Sequence, residues 1–180
     1  DEARLPTERG RAYPDIINAV MSQRIKGLWI IGTNPVVSFP NRKVLEAALG
    51  RLDLLVVQDG FETPTTALAN VVLPAGIWGE KEGTFTNSER RVSRVRAAVA
   101  PPGQARTDFD IFALVARHWG CGDLLAGCAT PEQAYDEWRR VSAGRPCDYG
   151  TISWSRIDEE GGVQWPRDHA RVYTDGVYHH

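Results

Sequence analysis

Apolar positions along this chain come in two formats, short solid blocks and helical stripes, and the two alternate. The blocks are residues 28–31 (LWII), 54–57 (LLVV) and 71–73 (VVL). Each is apolar at every position, which predicts strands covered on both faces rather than strands with one wet side. Ile16, Ile17 and Val20 share one side of a helix predicted over 14–23, with Gly27 beyond its end. Val44, Leu45 and Ala48 point inward from a second helix over 41–49, stopped by Gly50. Thr63-Pro64 opens a short helix in the order of cap then proline. Strands alternating with helices predict an α/β fold: a Rossmann-like, doubly wound parallel sheet in three layers, α/β/α.

Two more helices follow. Residues 108–119 carry Phe109, Phe112, Val115, Ala116 and Trp119 on one stripe, with Asp108 read as the N-cap and Gly120 just beyond. Thr130-Pro131-Glu132-Gln133 is a cap with a capping-box partner, opening a helix that runs to about residue 141. From Gly144 the chain is rich in Gly, Pro and Trp and has no clean period, so it reads as an extended excursion. The organisation expected is one domain over 1–143 and a linker over 144–180, without repeats. Both ends, DEARLP and RVYTDGVYHH, read as cuts in a longer chain.

In an open parallel sheet, ligands collect beyond the carboxyl ends of the strands. The residues leaving those ends are Gly32-Thr33-Asn34-Pro35, Gln58-Asp59 and the loop Gly79-Glu80-Lys81-Glu82-Gly83-Thr84, and they are expected to converge on one crevice. Asp59 suits a ribose-binding acid, yet the first turn lacks GxGxxG, and spacing alone leaves a plain strand end equally open. Lys81 is one of three lysines and stands on a glycine-bearing loop, where it is either a phosphate contact or a solvated charge. Asp108 either caps its helix or offers a carboxylate to the N1–H and N2–H₂ edge of guanine. Arg90, Arg91, Arg94 and Arg96 read as a solvated strand face, and no aromatic residues interleave with them.

Composition narrows the partners. Of 180 residues 42% are hydrophobic, enough for a proper core, and the net charge of −2 gives no overall pull toward nucleic acid or an anionic membrane. No apolar run reaches membrane-spanning length. Cys121, Cys128 and Cys147 lack CxxC spacing, so they read as reduced structural thiols in a cytoplasmic protein rather than disulfides or metal ligands. No catalytic triad, metal cluster or P-loop is visible, and His118 falls on a helix while His169, His179 and His180 lie in the tail. Glu80 and Glu82 have no nucleophile or histidine beside them, which excludes an acid/base pair there. The residues alone describe a nucleotide-type binding domain without a catalytic centre of its own.

Taken in order, LWIIGTNP, VVQDGFETPTTALANVVLPAGIWGEKEGTFTNSERRVSR, PPGQARTDFDIF, EWRRVSAGRPCDYG and EEGGVQWP resemble the molybdopterin oxidoreductases of the dimethyl sulfoxide reductase superfamily. Within that superfamily the likeness is to the catalytic subunit of bacterial assimilatory nitrate reductase. GTNP and SAGRPCDY lean that way, whereas GGVQWP is shared with formate dehydrogenases. The resemblance implies a domain that holds the nucleotide end of one of two molybdopterin guanine dinucleotides around molybdenum (Mo-bisMGD). It implies cofactor contacts at Asn34, at Gln58 and Asp59 near the guanosine sugar and base, at Lys81 near the nucleotide, and at Asp108 on the guanine edge. It places an iron–sulfur cluster in a separate N-terminal part, makes the other domains of the parent enzyme the partners, and implies no nitrate reduction by this stretch alone. Apolar surface left by those domains would favour a homodimer. The alternatives are the same domain of a formate dehydrogenase, or a free-standing nucleotide-binding or interaction domain.

Overall fold

In the computed structural model, which describes residues 8–165, the three apolar blocks are strands of one parallel sheet. They are β1 (Gly27–Ile31), β2 (Leu54–Asp59) and β3 (Val71–Pro74), in the order β1-β2-β3. The register pairs Ile31 with Gln58 and Asp59 with Pro74, so the carboxyl ends of adjacent strands lie side by side. This α/β arrangement is the fold class expected from the alternation.

The helices of this part are α1 (Tyr13–Met21), α2 (Pro35–Ser38) and α3 (Arg42–Leu49). Ile17 and Val20 from α1, Leu45, Ala48 and Leu49 from α3, and Leu55 and Val57 from β2 make its core. Fully burying each such side chain is worth about 1.5–3 kcal/mol before entropy is counted. Asn41 caps α3 through its Oδ1, which accepts from the Val44 amide. Three details differ from the expectation. Val44 is exposed, because the stripe of α3 is narrower and centred on Leu45 and Ala48. Val71 and Val72 also stay exposed, since β3 is an edge strand of a sheet of three. The Thr63-Pro64 turn is capped as foreseen, with Thr63 Oγ1 accepting from the Thr66 amide, but it winds only into a 3-10 turn over Thr66–Leu68.

The chain divides into two compact units, Asp1–Pro74 and Ala75–His180. The second unit is built on an antiparallel sheet of β4 (Gly83–Thr86), β5 (Arg91–Val95) and β6 (Val163–Gln164), with β5 in the middle. Its helices are α4 (Asp108–His118), α5 (Pro131–Ser142) and α6 (Trp154–Glu160). Asn87 shapes the β4–β5 turn: its Oδ1 accepts from the amides of Glu89 and Arg91, and Arg90 takes a left-handed φ of 64°. Thr130 caps α5 by accepting from the Gln133 amide, and the Ala129 amide in turn donates to Gln133 Oε1.

The stretch from Gly144, expected to run out as an extended excursion, instead folds back as far as Trp165. Ile152, Trp154, Ile157 and Val163 join Val92 and Tyr135 in one buried cluster. Asp148 closes the preceding loop, its two carboxylate oxygens accepting from the amides of Gly144 and Gly150 at 2.7 and 2.6 Å. The segment lacks a long period because α6 is only seven residues and β6 only two. The arginines expected on a solvated face hold this return in place. Arg94 lies over the Trp154 ring at 3.4 Å and donates to Asp158 at 3.2 Å, and Arg96 reaches the same carboxylate at 2.6 Å. Arg91 donates to the Gly162 carbonyl, and Arg90 sits over Trp165. No helix among the described residues is long and apolar enough to cross a membrane.

Candidate functional site

Asn34, Gln58 and Asp59 belong to the first unit, at the carboxyl ends of β1 and β2. Gly32 starts the turn after β1 at a φ of 59°, a left-handed conformation that a side chain would strain, and its amide donates to the Gln58 carbonyl. Asn34 then sits at the N-cap position just before α2, and its Oδ1 accepts from the Thr65 hydroxyl at 2.7 Å. Thr65 is fully buried and in turn accepts from the Val36 amide, so the tip of β1 is latched to the segment after β2. Asp59 is half-buried and its Oδ1 accepts from the Phe61 amide, which tightens the turn leaving β2. Gln58 is completely buried, so its side chain is part of the packed sheet rather than of an open surface. Thr65 escaped the sequence reading. Its only signal is a threonine pair after proline, which reads as a cap.

Lys81 and Asp108 belong to the second unit and meet directly. Lys81 Nζ donates to Asp108 Oδ2 at 2.5 Å. They were expected to meet a common ligand, and the structure adds that they also meet each other. Asp108 is not the helix cap. Thr107 fills that position, in extended backbone, with its hydroxyl accepting from the Asp110 amide and donating to the Asp110 carboxylate. Capping by Thr107 leaves the Asp108 carboxylate available to face Lys81.

The pair borders a cleft of about 460 Å³, a size suited to a small organic ligand. Trp78, Phe85, Phe109 and Phe112 supply its apolar walls, and Trp78 meets Phe85 edge-on with centroids 5.1 Å apart. The sequence stripe on α4 placed Phe109 and Phe112 together, without indicating what that stripe faces. In the structure Ile111 is the residue that α4 buries, Phe112 is exposed at the cleft, and Trp119 at the helix end is exposed. Aromatic walls with a carboxylate and an ammonium between them suit a flat ligand that carries hydrogen-bond donors and an anionic group. Among the described residues, no group of histidine, cysteine and carboxylate side chains could hold a metal ion. The cysteines are free thiols, with Cys128 donating to Glu137, Cys121 donating to the Ala116 carbonyl, and Cys147 exposed.

Comparison with known proteins gives this geometry a family. Residues 3–118 match the family model for molybdopterin oxidoreductase. The F420-dependent formate dehydrogenase subunit alpha of Methanocaldococcus jannaschii is 44% identical over 87% of the chain. The assimilatory nitrate reductase of Haloferax mediterranei is 40% identical over 91% of it, and the assimilatory nitrate reductase catalytic subunit of Bacillus subtilis 36% identical over 97%. The chain spans 22% of the length of the first two and 25% of the third. Among solved structures, acetylene hydratase from Pelobacter acetylenicus matches 80% of the chain with a TM-score of 0.63 at 19% identity, a likeness of fold. The matched span carries β1 to β3, the Lys81 loop and α4, and this chain belongs to the molybdopterin oxidoreductase family.

Proposed function

We propose that this chain holds the nucleotide end of a molybdopterin guanine dinucleotide, with the guanine in the cleft bordered by Lys81 and Asp108. The observation that carries the reading is the carboxylate of Asp108 set among aromatic walls with an ammonium beside it. A carboxylate can accept in parallel from guanine N1–H and N2–H₂, whereas adenine offers no matching pair of donors. Trp78, Phe85, Phe109 and Phe112 present apolar surface to a purine ring, and Lys81 supplies a point charge for phosphate. The chemistry of the cleft therefore fits the group. On the first unit, Asn34 and Asp59 are the contacts proposed at the strand tips, and Gln58 supports them from inside the sheet. The molybdenum–pterin group, when bound, supplies the redox chemistry; the chain contributes binding and orientation. No residue here is assigned a catalytic or metal-ligating role.

The parent reaction proposed is nitrate reduction, on the GTNP and SAGRPCDY segments, with the other domains of a larger enzyme as partners and an iron–sulfur cluster in one of them. Formate oxidation is the second reading, favoured by the 44% identity to a formate dehydrogenase subunit. Assay of the parent enzyme with nitrate and with formate decides between them.

The nucleotide reading is tested by isothermal titration of the 180-residue chain with GMP and with AMP. GMP is expected to bind weakly but in preference to AMP, and Asp108→Asn to reduce that preference about tenfold or more. Equal affinity for the two nucleotides in the unaltered chain would remove Asp108 from the site.

A further inference from the structure

Lys81 and Asp108 would both serve the nucleotide under the reading above, yet in this structure they are already bonded to each other at 2.5 Å. Guanine's N1–H and N2–H₂ are donors and so is the lysine ammonium. All three seek the same carboxylate, and none can accept from another. A guanine edge needs both oxygens of Asp108 side by side, and Lys81 occupies Oδ2. We propose that Lys81 is an internal stand-in for the guanine edge, holding the Asp108 carboxylate until the base displaces it and then turning to the phosphate of the same ligand.

The surroundings support such an exchange. Both side chains are partly exposed, at 27% and 32%, so the pair can open toward solvent without stranding a buried charge. Lys81 stands two residues ahead of Gly83, on the loop between Gly79 and β4, rather than inside a regular element. Asp108 is fixed on the first turn of α4 and relieved of capping by Thr107. The mobile partner is therefore the lysine. The carboxylate is the stationary one. Capping by Thr107 also means that displacing Lys81 costs the helix none of its own hydrogen bonds. The stand-in offsets the charge of Asp108 when no ligand is present, and it makes a ligand with both a guanine and a phosphate better matched than either part alone.

This proposal rests on the guanine reading, and the experiment separates the two. Guanosine, adenosine and GMP are titrated into the full chain and into Lys81→Met, with the melting temperature of each recorded. Guanosine, which has no phosphate to reward the lysine, is expected to bind Lys81→Met about fivefold more tightly than the unaltered chain. The advantage of GMP over guanosine is expected to shrink in the same variant. Opposite signs for the two ligands are not what a merely structural lysine would produce. In the unaltered chain, salt should strengthen guanosine binding by screening the pair, an arm that stands even if the variant does not fold. A preference for guanosine over adenosine with unchanged or weaker binding to Lys81→Met, or guanosine binding insensitive to salt, overturns the exchange and leaves the guanine reading standing. No preference for guanosine over adenosine in either protein overturns the guanine reading and the exchange together.

Discussion

Thr107 shows how one hydroxyl decides what its neighbour can do. The sequence RTDFD contains three side chains able to cap a helix, and short-range chemistry alone does not choose among them. In the fold Thr107 takes the capping position and Asp108 becomes the first helical residue, with its carboxylate paired to Lys81. Thr107→Ala is expected to cost about 1 kcal/mol of stability by urea denaturation. It should also weaken the GMP preference, because Asp108 then competes to cap. Loss of stability with the preference intact would show that the two roles are independent. The same scale explains Gln58. Its complete burial follows from its place on the central strand, which no residue type announces.

Elements were legible wherever an apolar pattern ran long enough. β1, β2, β3, α3, α4 and α5 fall within a residue or two of the predicted bounds, and α1 ends two residues early at Met21. What the pattern missed is short. α2 is four residues and begins at a proline, β4 hides in a loop rich in charge and glycine, and α6 and β6 together are nine residues. Elements of one or two turns take their stability from packing rather than propensity, so their signal is weak before the partners are known. The β5 arginines are such partners. Arg94 is only 11% exposed and stacks on Trp154, whereas Arg96 is 61% exposed and donates to the shared Asp158. Arg94→Ala is therefore expected to destabilise the chain by about 1–2 kcal/mol, through lost stacking and packing. Arg96→Ala should fall within about 0.5 kcal/mol of the unaltered chain. Urea denaturation ranks them, and faster amide exchange across α6 in Arg94→Ala alone would locate the effect.

At the scale of the molecule, each unit has its own buried cluster. The second cluster carries an electrostatic consequence. Tyr135 is buried in it, and burial raises its phenol above the ordinary tyrosine range. The folded phenol stays neutral where the unfolded one ionises. Its contribution to stability is thus fully present below the ordinary tyrosine pKa and is lost as pH rises toward the folded one. Tyr135→Phe should flatten the alkaline fall in stability. Near neutral pH it should change stability by no more than about 1 kcal/mol, since the buried hydroxyl has no hydrogen-bond partner among the described residues. Denaturation curves from pH 7 to 11 check both, and an unchanged alkaline slope in the variant would assign the fall to other groups.

The order of residues by itself determined the alternation of strands and helices, the parallel class of the first sheet, and the family. These depend on patterns and motifs that are local and contiguous. It also picked out Lys81 and Asp108, 27 positions apart, as contacts of one ligand, without any means of bonding them to each other. Only the tertiary structure decided that they bond to each other, that Phe109 and Phe112 wall a cleft instead of filling a core, and that the segment after Gly144 returns to β5. The physical reason is common to all three. A contact between distant residues depends on which face of each element is buried, and that is settled when elements pack together, not while each is read alone.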